Sequence, residues 1–310
     1  MRRFTRTPYY TGRDDPERGE LRGTLHLGET VVIETVGGHD QDLKIEGELR
    51  PGAVMEVGTP RYSRPGGPFY IEGIAPGDWV SIDILDMECG PYGFYRNGGP
   101  IWGSVRLIAP VRDGLVHFPP DFVVPERPMV GVVMLESVDP YEIDHGGNMD
   151  FNSTRPGSTV HIRAQKAGGL LTLADAHARM SDGELTGTGV EIDTAVTVRV
   201  DRSPGFSTSS PVVETTNVVE SAEEYLTAGQ GRTWTDAVRA AWADMVGLIA
   251  DRYDTTTEHA NLIVGTIGDA RPGYSAGDMN HRGRPTESAY VTCQIAVTKE
   301  LRRTGEPFKG

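Results

Sequence analysis

Short apolar runs rich in β-branched residues, cut at close intervals by glycine and proline, fill the first two hundred positions of this 310-residue chain. Residues 31–36, 79–85, 129–135 and 195–200 are such runs. Each is too short for a three-turn helix and is bounded by turn formers, so each predicts a strand. With 39 glycines and 21 prolines as punctuation, the expectation is a mainly β fold, either a distorted β-sandwich or two β lobes. The length suits one large β domain or two smaller units.

The period changes after Gly231. Trp234, Ala237, Val238, Ala241, Trp242, Met245, Leu248 and Ile249 recur at helical spacing. Thr233 stands where an N-cap belongs, with Asp236 in capping-box relation to it. This predicts a helix over 233–253, a second over 257–268 and a strand over 290–297. The organisation is then a β-rich part (1–216), a small C-terminal α-helical subdomain inserted at about 217–270 that covers a face or edge of the β structure, and a closing β segment (271–310). Residues 201–216, rich in Ser, Thr and Pro, read as a loop. Residues 90–100 read as a punctuated loop whose Tyr92, Phe94 and Tyr95 either roof a small apolar pocket or make an oligomer contact.

A net charge of −14 argues against a nucleic-acid partner, which needs clustered Lys and Arg to neutralise phosphates. No apolar run of signal-peptide or bilayer-spanning length occurs, which speaks against a membrane. Two cysteines, Cys89 and Cys293, support neither a disulfide framework nor a Cys-based zinc finger and suit a reducing cytoplasm. A soluble cytoplasmic homo-oligomer is the expectation.

The chemistry concentrates between residues 175 and 191, where one imidazole, His177, meets four carboxylates, Asp175, Asp182, Glu184 and Glu191, on a glycine-loosened backbone. His177 and Asp175 are two residues apart, which points both to one side of an extended strand and makes half a metal site. Asn148 and Asp150 likewise share a face, beside His145 and the permissive Gly146 and Gly147. His39 and Asp40 follow Gly37 and Gly38 after a strong strand. Each group also has a plainer reading: a core histidine hydrogen-bonded by Asp175, a solvated acidic turn at Asp182 and Glu184, an Asx turn at Asn148. His26, His117, His161, His259 and His281 belong to no such group and read as surface or hydrogen-bonded histidines.

Three separated blocks, residues 67–78, 145–150 and 175–191, occur in the order found in the acetamidase/formamidase family of amide hydrolases, which the chain resembles from about residue 27 to 297. The Gly-Gly-Asn-Met-Asp run ending at Asp150, the Asp-Ala-His-Ala run from Asp175, Asp182-Gly183-Glu184 and the segment ending at Glu191 carry the match. Met180 and Ser181 depart from the family's usual Gln-Gly, which bears on the substrate and leaves room for a bulkier or different amide. The resemblance implies hydrolysis of the C–N bond of a small linear amide, such as formamide or acetamide, to ammonia and a carboxylate. It implies a divalent metal, zinc by preference with Ca2+ as the alternative, held by His39, Asp150, Asp175, His177 and Glu191. Glu184 is then the preferred general base with Asp182 its competitor, His145 a ligand or acid, and Asn148 a donor to the substrate carbonyl.

Two rivals stand beside this reading. One is a hydrolase of a cyclic amide or other unusual C–N compound; the other is a non-catalytic sandwich whose carboxylates hold a structural calcium. A serine mechanism lacks a Gly-x-Ser-x-Gly elbow, and Ser207 to Ser210 lack the glycines that would expose a nucleophile. Cys89, beside Glu88, is the weaker choice of nucleophile.

Overall fold

The computed structural model describes residues 1–5, 20–37, 50–53, 65–97, 105–135, 144–185, 187–215, 223–274, 291–299 and 301. In chain order these hold β1 (Arg2–Phe4), β2 (Gly23–Leu25), β3 (Glu29–Thr35), β4 (Gly66–Ile71), β5 (Trp79–Cys89), β6 (Tyr92–Asn97), β7 (Val105–Arg112), β8 (Leu115–Phe118), β9 (Phe122–Pro125), β10 (Met129–Leu135), β11 (Gly146–Asn148), β12 (Ser158–Arg163), β13 (Leu171–His177), β14 (Thr194–Arg202), β15 (Val212–Thr215), β16 (Glu224–Gly231), α1 (Trp234–Arg252), α2 (Thr257–Ile267), β17 (Asp269–Pro272) and β18 (Val291–Thr298). The chain is mainly β, as its punctuated runs require. All four quoted runs are strands.

A nine-stranded sheet runs β1-β3-β14-β5-β12-β15-β16-β18-β17, a five-stranded sheet β11-β10-β13-β4-β2, and a four-stranded sheet β6-β7-β8-β9. The first two share one core. Along β5 the alternate residues Val80, Ile82 and Ile84 are buried while Trp79, Ser81 and Asp83 are only partly covered, the period of two that a strand imposes. Those three, with Ile33, Val160, Ile162, Val196 and Val198, pack against Phe69, Val130, Val133, Leu171 and Leu173 of the smaller sheet. Each such side chain stabilises the fold by about 1.5–3 kcal/mol on burial. β10 is buried at all seven positions, so neither of its faces meets solvent.

The helices close the outer face of the larger sheet. Thr233 caps α1, its hydroxyl oxygen accepting from Asp236 N; that hydroxyl also donates to Asp236 Oδ2 at 2.8 Å, a side-chain version of the expected capping box. Ala237, Ala241, Met245 and Ile249 of α1, with Ala260 and Val264 of α2, pack on Tyr225, Cys293 and Ile295. No helix among the described residues is long and apolar enough to cross a membrane.

Two loop expectations are corrected. Residues 92–97 form β6, paired with β7 from Tyr92↔Pro110 to Asn97↔Val105, because the aromatic residues that looked suited to roofing a pocket are also strong strand formers. Residues 212–215 form β15 between β12 and β16, since Val212 and Val213 each have a core face to fill. Only residues 203–211 of that Ser/Thr/Pro-rich stretch lie between strands.

Candidate metal centre

β13 carries the middle of the site. It pairs with β10 on both sides of Asp175, through Val130↔Ala176 and Val132↔Ala174, but Asp175 itself has φ +59°. That left-handed residue sits opposite Gly131. His177 ends the strand, completely buried, opposite Met129 on one side and bridged to Glu191 on the other. Its Nδ1 lies 3.0 Å from Met129 Sδ. Its Nε2 lies 3.1 Å from Glu191 Oε1, 3.7 Å from Glu184 Oε1 and 3.8 Å from Asp175 Oδ1.

The other acids reach this point from separate segments. Asp150 follows β11 as the backbone N–H groups of Met149 and Asp150 donate to Gly131 O at 3.0 and 3.1 Å. Its carboxylate is buried; Asn148 Nδ2 donates to Oδ2 at 2.8 Å, and Oδ1 has no hydrogen-bond partner. Glu184 is buried in a turn closed by Glu184 N to Ser181 O at 3.2 Å and Gly187 N to Glu184 O at 2.8 Å. Glu191 is buried and held by Phe94, whose N–H donates to Glu191 O at 3.0 Å and whose carbonyl accepts from Glu191 N at 2.8 Å.

Asp150, Asp175 and Glu184 have φ of +49°, +59° and +41°. Such conformations cost a non-glycine residue on the order of 1–3 kcal/mol and gather where function constrains the backbone. The close approach also depends on glycines. A Cβ at Gly131 would lie 2.3 Å from Asp150 Oδ1, one at Gly189 2.6 Å from His177 Cδ2, one at Gly93 2.4 Å from Glu191 O, and one at Gly37 3.0 Å from Glu191 Cβ.

The electrostatics show too much negative charge for one imidazole. Burial, then the charge of Glu191, lifts Asp150 to about 6. Burial followed by Glu191 and Asp150 holds Asp175 well above the usual carboxylate range, and burial followed by Asp150 and Glu191 does the same for Glu184. For His177 burial depresses basicity, but Glu191, Asp175 and Glu184 outweigh it and raise the pKa well above 6.5. Buried like charges at this density call for a cation.

The donor set fits one. Ligand atoms of Asp150, Asp175 and His177, and those of His177, Glu184 and Glu191, lie within 4.8 Å of one another. Atoms bound at about 2.0–2.2 Å to a single zinc can be no more than roughly 4.4 Å apart. The His177 distances already meet that limit, and the unpartnered Asp150 Oδ1 is an acceptor awaiting a positive group. One imidazole with carboxylates suits zinc; the oxygen-rich remainder also suits a harder ion.

Of the residues singled out in the sequence, Asp150, Asp175, His177, Glu184 and Glu191 converge. Asn148 joins them through Asp150. Asp182 does not: it is exposed, among Arg271, Asn152, Arg155 and Arg127, because the intervening Gly183 (φ +94°) turns consecutive side chains apart. His145 is buried elsewhere, its carbonyl accepting from Leu135 N; that is four residues along β10 from Gly131, about 13 Å at strand rise. His39 lies outside the described residues. The sequence assigns Met129, Gly131 and Gly189 no role at the site and places Phe94 in an aromatic loop, not as the backbone partner of Glu191, although an isolated glycine within a strand run, as at Gly131, signals close backbone approach. Cys89, with its thiol pushed up to about 12 by burial and Glu126, is a poor nucleophile; the opposing acid is Glu126 rather than the adjacent Glu88. His161 is hydrogen-bonded, as expected, while His281 lies outside the described residues.

Residues 130–266 match the family described as "Acetamidase/Formamidase family". None of the curated proteins compared matches the chain. Among solved structures, a predicted acetamidase/formamidase from Thermoanaerobacter tengcongensis is similar with a TM-score of 0.75 and 25% identity, over 91% of this chain and 90% of that one. An acetamidase from Bacillus halodurans is similar with a TM-score of 0.74 and 23% identity, over 95% and 96%. A gamma lactamase from Delftia acidovorans shares the fold more loosely, with a TM-score of 0.55 and 14% identity over 94% and 88%. The family match spans every acid of the buried cluster and the imidazole at its centre, and the chain is similar in fold to these structures along nine-tenths of its length.

Proposed function

We propose that the chain is a metal-dependent amidohydrolase that cleaves the C–N bond of a small linear amide, of the formamide or acetamide kind, to ammonia and a carboxylate. The observation that carries this reading is the meeting of Asp150, Asp175, Glu184 and Glu191 on His177 in a buried cluster of strained backbone and closely approaching glycines. His177 Nε2, Asp150, Asp175 and Glu191 would hold a divalent ion, zinc by preference. Such an ion supplies Lewis acidity, lowering the pKa of water and polarising an amide carbonyl. Glu184, left over from that set, accepts the proton of the attacking water at its carboxylate and passes it to the departing nitrogen. Asn148 orients Asp150 through the bond to Oδ2. The whole chain acts as one domain in this reading, in a cytoplasm whose reducing conditions suit the free Cys89 and Cys293, and as a homo-oligomer.

The test pairs metal analysis with ammonia release from formamide, acetamide and a small lactam. The expected result is about one divalent ion per chain, linear-amide turnover lost on chelation and restored by zinc, and no turnover in His177→Ala. Metal binding without turnover of any amide would favour a structural ion instead, and turnover at wild-type rate in His177→Ala would remove the site from this place.

A further inference from the structure

The outer face of β12 carries a second constellation, separated from the metal centre by the sandwich core. His161 lies between Val160 and Ile162, which point into that core, so its ring points the other way. Its Nδ1 is 2.9 Å from Ser203 Oγ, and its Nε2 is 3.1 Å from Glu214 Oε1. Glu214 Oε2 in turn accepts from Lys299 Nζ at 2.7 Å. Burial opposes the Glu214 charge, but the nearby His161 ring and the hydrogen bond from Lys299 outweigh it and hold the group at about 2. Phe206 packs on the imidazole at 4.9 Å between centroids, and Trp79 meets Phe206 edge-on at 5.6 Å.

Three residues from separate segments thus stand in the order hydroxyl, imidazole, carboxylate. We propose that Ser203, His161 and Glu214 form a second nucleophilic site, independent of the metal, that takes the acyl group of a small activated ester. The negative charge of Glu214, 3.1 Å from Nε2 but outside hydrogen-bond geometry, favours the ring proton on that nitrogen, which leaves the Nδ1 lone pair facing the serine hydroxyl. The two ring nitrogens exchange the roles they have in the best-known serine hydrolases, but the logic is the same. Ser203 Oγ attacks the ester carbonyl carbon as its proton passes to His161 Nδ1; the C–O bond to the alcohol then breaks and the alkoxide leaves with that proton. Water repeats the sequence on the acyl-serine, so that ester and water become acid and alcohol. Gly205 N–H donates to Ser203 Oγ at 3.4 Å and helps to fix the position of the hydroxyl, and the Phe206 and Trp79 rings give an apolar wall to the acyl group. Ser203 is only 8% exposed, with exposed Arg202 and Pro204 on either side, so approach is from the loop and not from the core.

The experiment uses the full chain, metal-loaded and chelated, with diisopropyl fluorophosphate as probe. Attack by Ser203 forms an O–P bond and expels fluoride, and peptide mass spectrometry locates the adduct. The expected result is one adduct, on Ser203, at equal rate with and without metal, absent in Ser203→Ala and slowed about 100-fold or more in His161→Gln or Glu214→Gln, with formamide turnover unchanged in Ser203→Ala. Circular dichroism checks that each variant is folded. No adduct at Ser203 in the wild-type chain, or an undiminished rate in folded His161→Gln or Glu214→Gln, would overturn the proposal. Neither outcome bears on the metal centre, which ammonia release tests separately.

Discussion

Gly131 stands opposite Asp175 across the ladder between β10 and β13, and a methyl group on it would lie 2.3 Å from Asp150 Oδ1 and 2.9 Å from Asp175 O. Two acids from different segments share the room that one missing side chain leaves. Gly131→Ala must therefore push Asp150 away from Asp175. The expected outcome is a folded protein destabilised by about 1–3 kcal/mol, with much weaker metal binding and loss of amide turnover, read by denaturant titration, metal analysis and ammonia release.

Asn148 separates two roles. If it serves chiefly to hold Asp150, Asn148→Ala should weaken metal binding about 10–100-fold while turnover at saturating metal returns close to the wild-type value. A loss of turnover that excess metal does not rescue would restore the sequence-based role of a donor to the substrate carbonyl. Chelator competition beside steady-state kinetics makes the distinction.

Glu214 gives the pH dependence a sign. Its folded pKa, about 2, lies below the ordinary glutamate value of 4.5, so the unfolded chain binds more protons over that interval. Its contribution to stability is complete above the unfolded value and is lost as pH falls from 4.5 towards 2. Wild type should therefore lose more stability than Glu214→Gln between pH 5 and pH 3, roughly the range where acid unfolding of paired carboxylates occurs. Denaturant midpoints of both proteins at each pH measure the difference.

Cys89 should be chemically quiet. With the thiol raised to about 12, iodoacetamide at neutral pH should leave it unmodified in the folded chain, and Cys89→Ser should retain amide turnover. Rapid alkylation coupled to inactivation would return the cysteine mechanism to contention.

What the sequence made legible follows the range of the interactions. The strand over residues 129–135 and both helices depend on local period, and they stand over the predicted residues, α1 behind its cap Thr233. Asp175 and His177 do end up together, but not by regular alternation: Asp175 is left-handed, and its place is set by Gly131 on the neighbouring strand. Asp182 and Glu184 looked equivalent in a glycine turn, and only the fold buries one and exposes the other. Phe94 reads as part of an aromatic loop, and nothing ties it to Glu191 because that contact spans nearly a hundred positions. The same is true of His161, whose partners Ser203 and Glu214 are 42 and 53 positions away.

Glu191 faces two ways: its carboxylate reaches His177 while its backbone exchanges both hydrogen bonds with Phe94 of the four-stranded sheet. It works as a rivet through the seam between two layers, so an ion seated at its head would tighten the joint along its shank. Slower amide exchange at Phe94 would then report an event at the carboxylate end of Glu191.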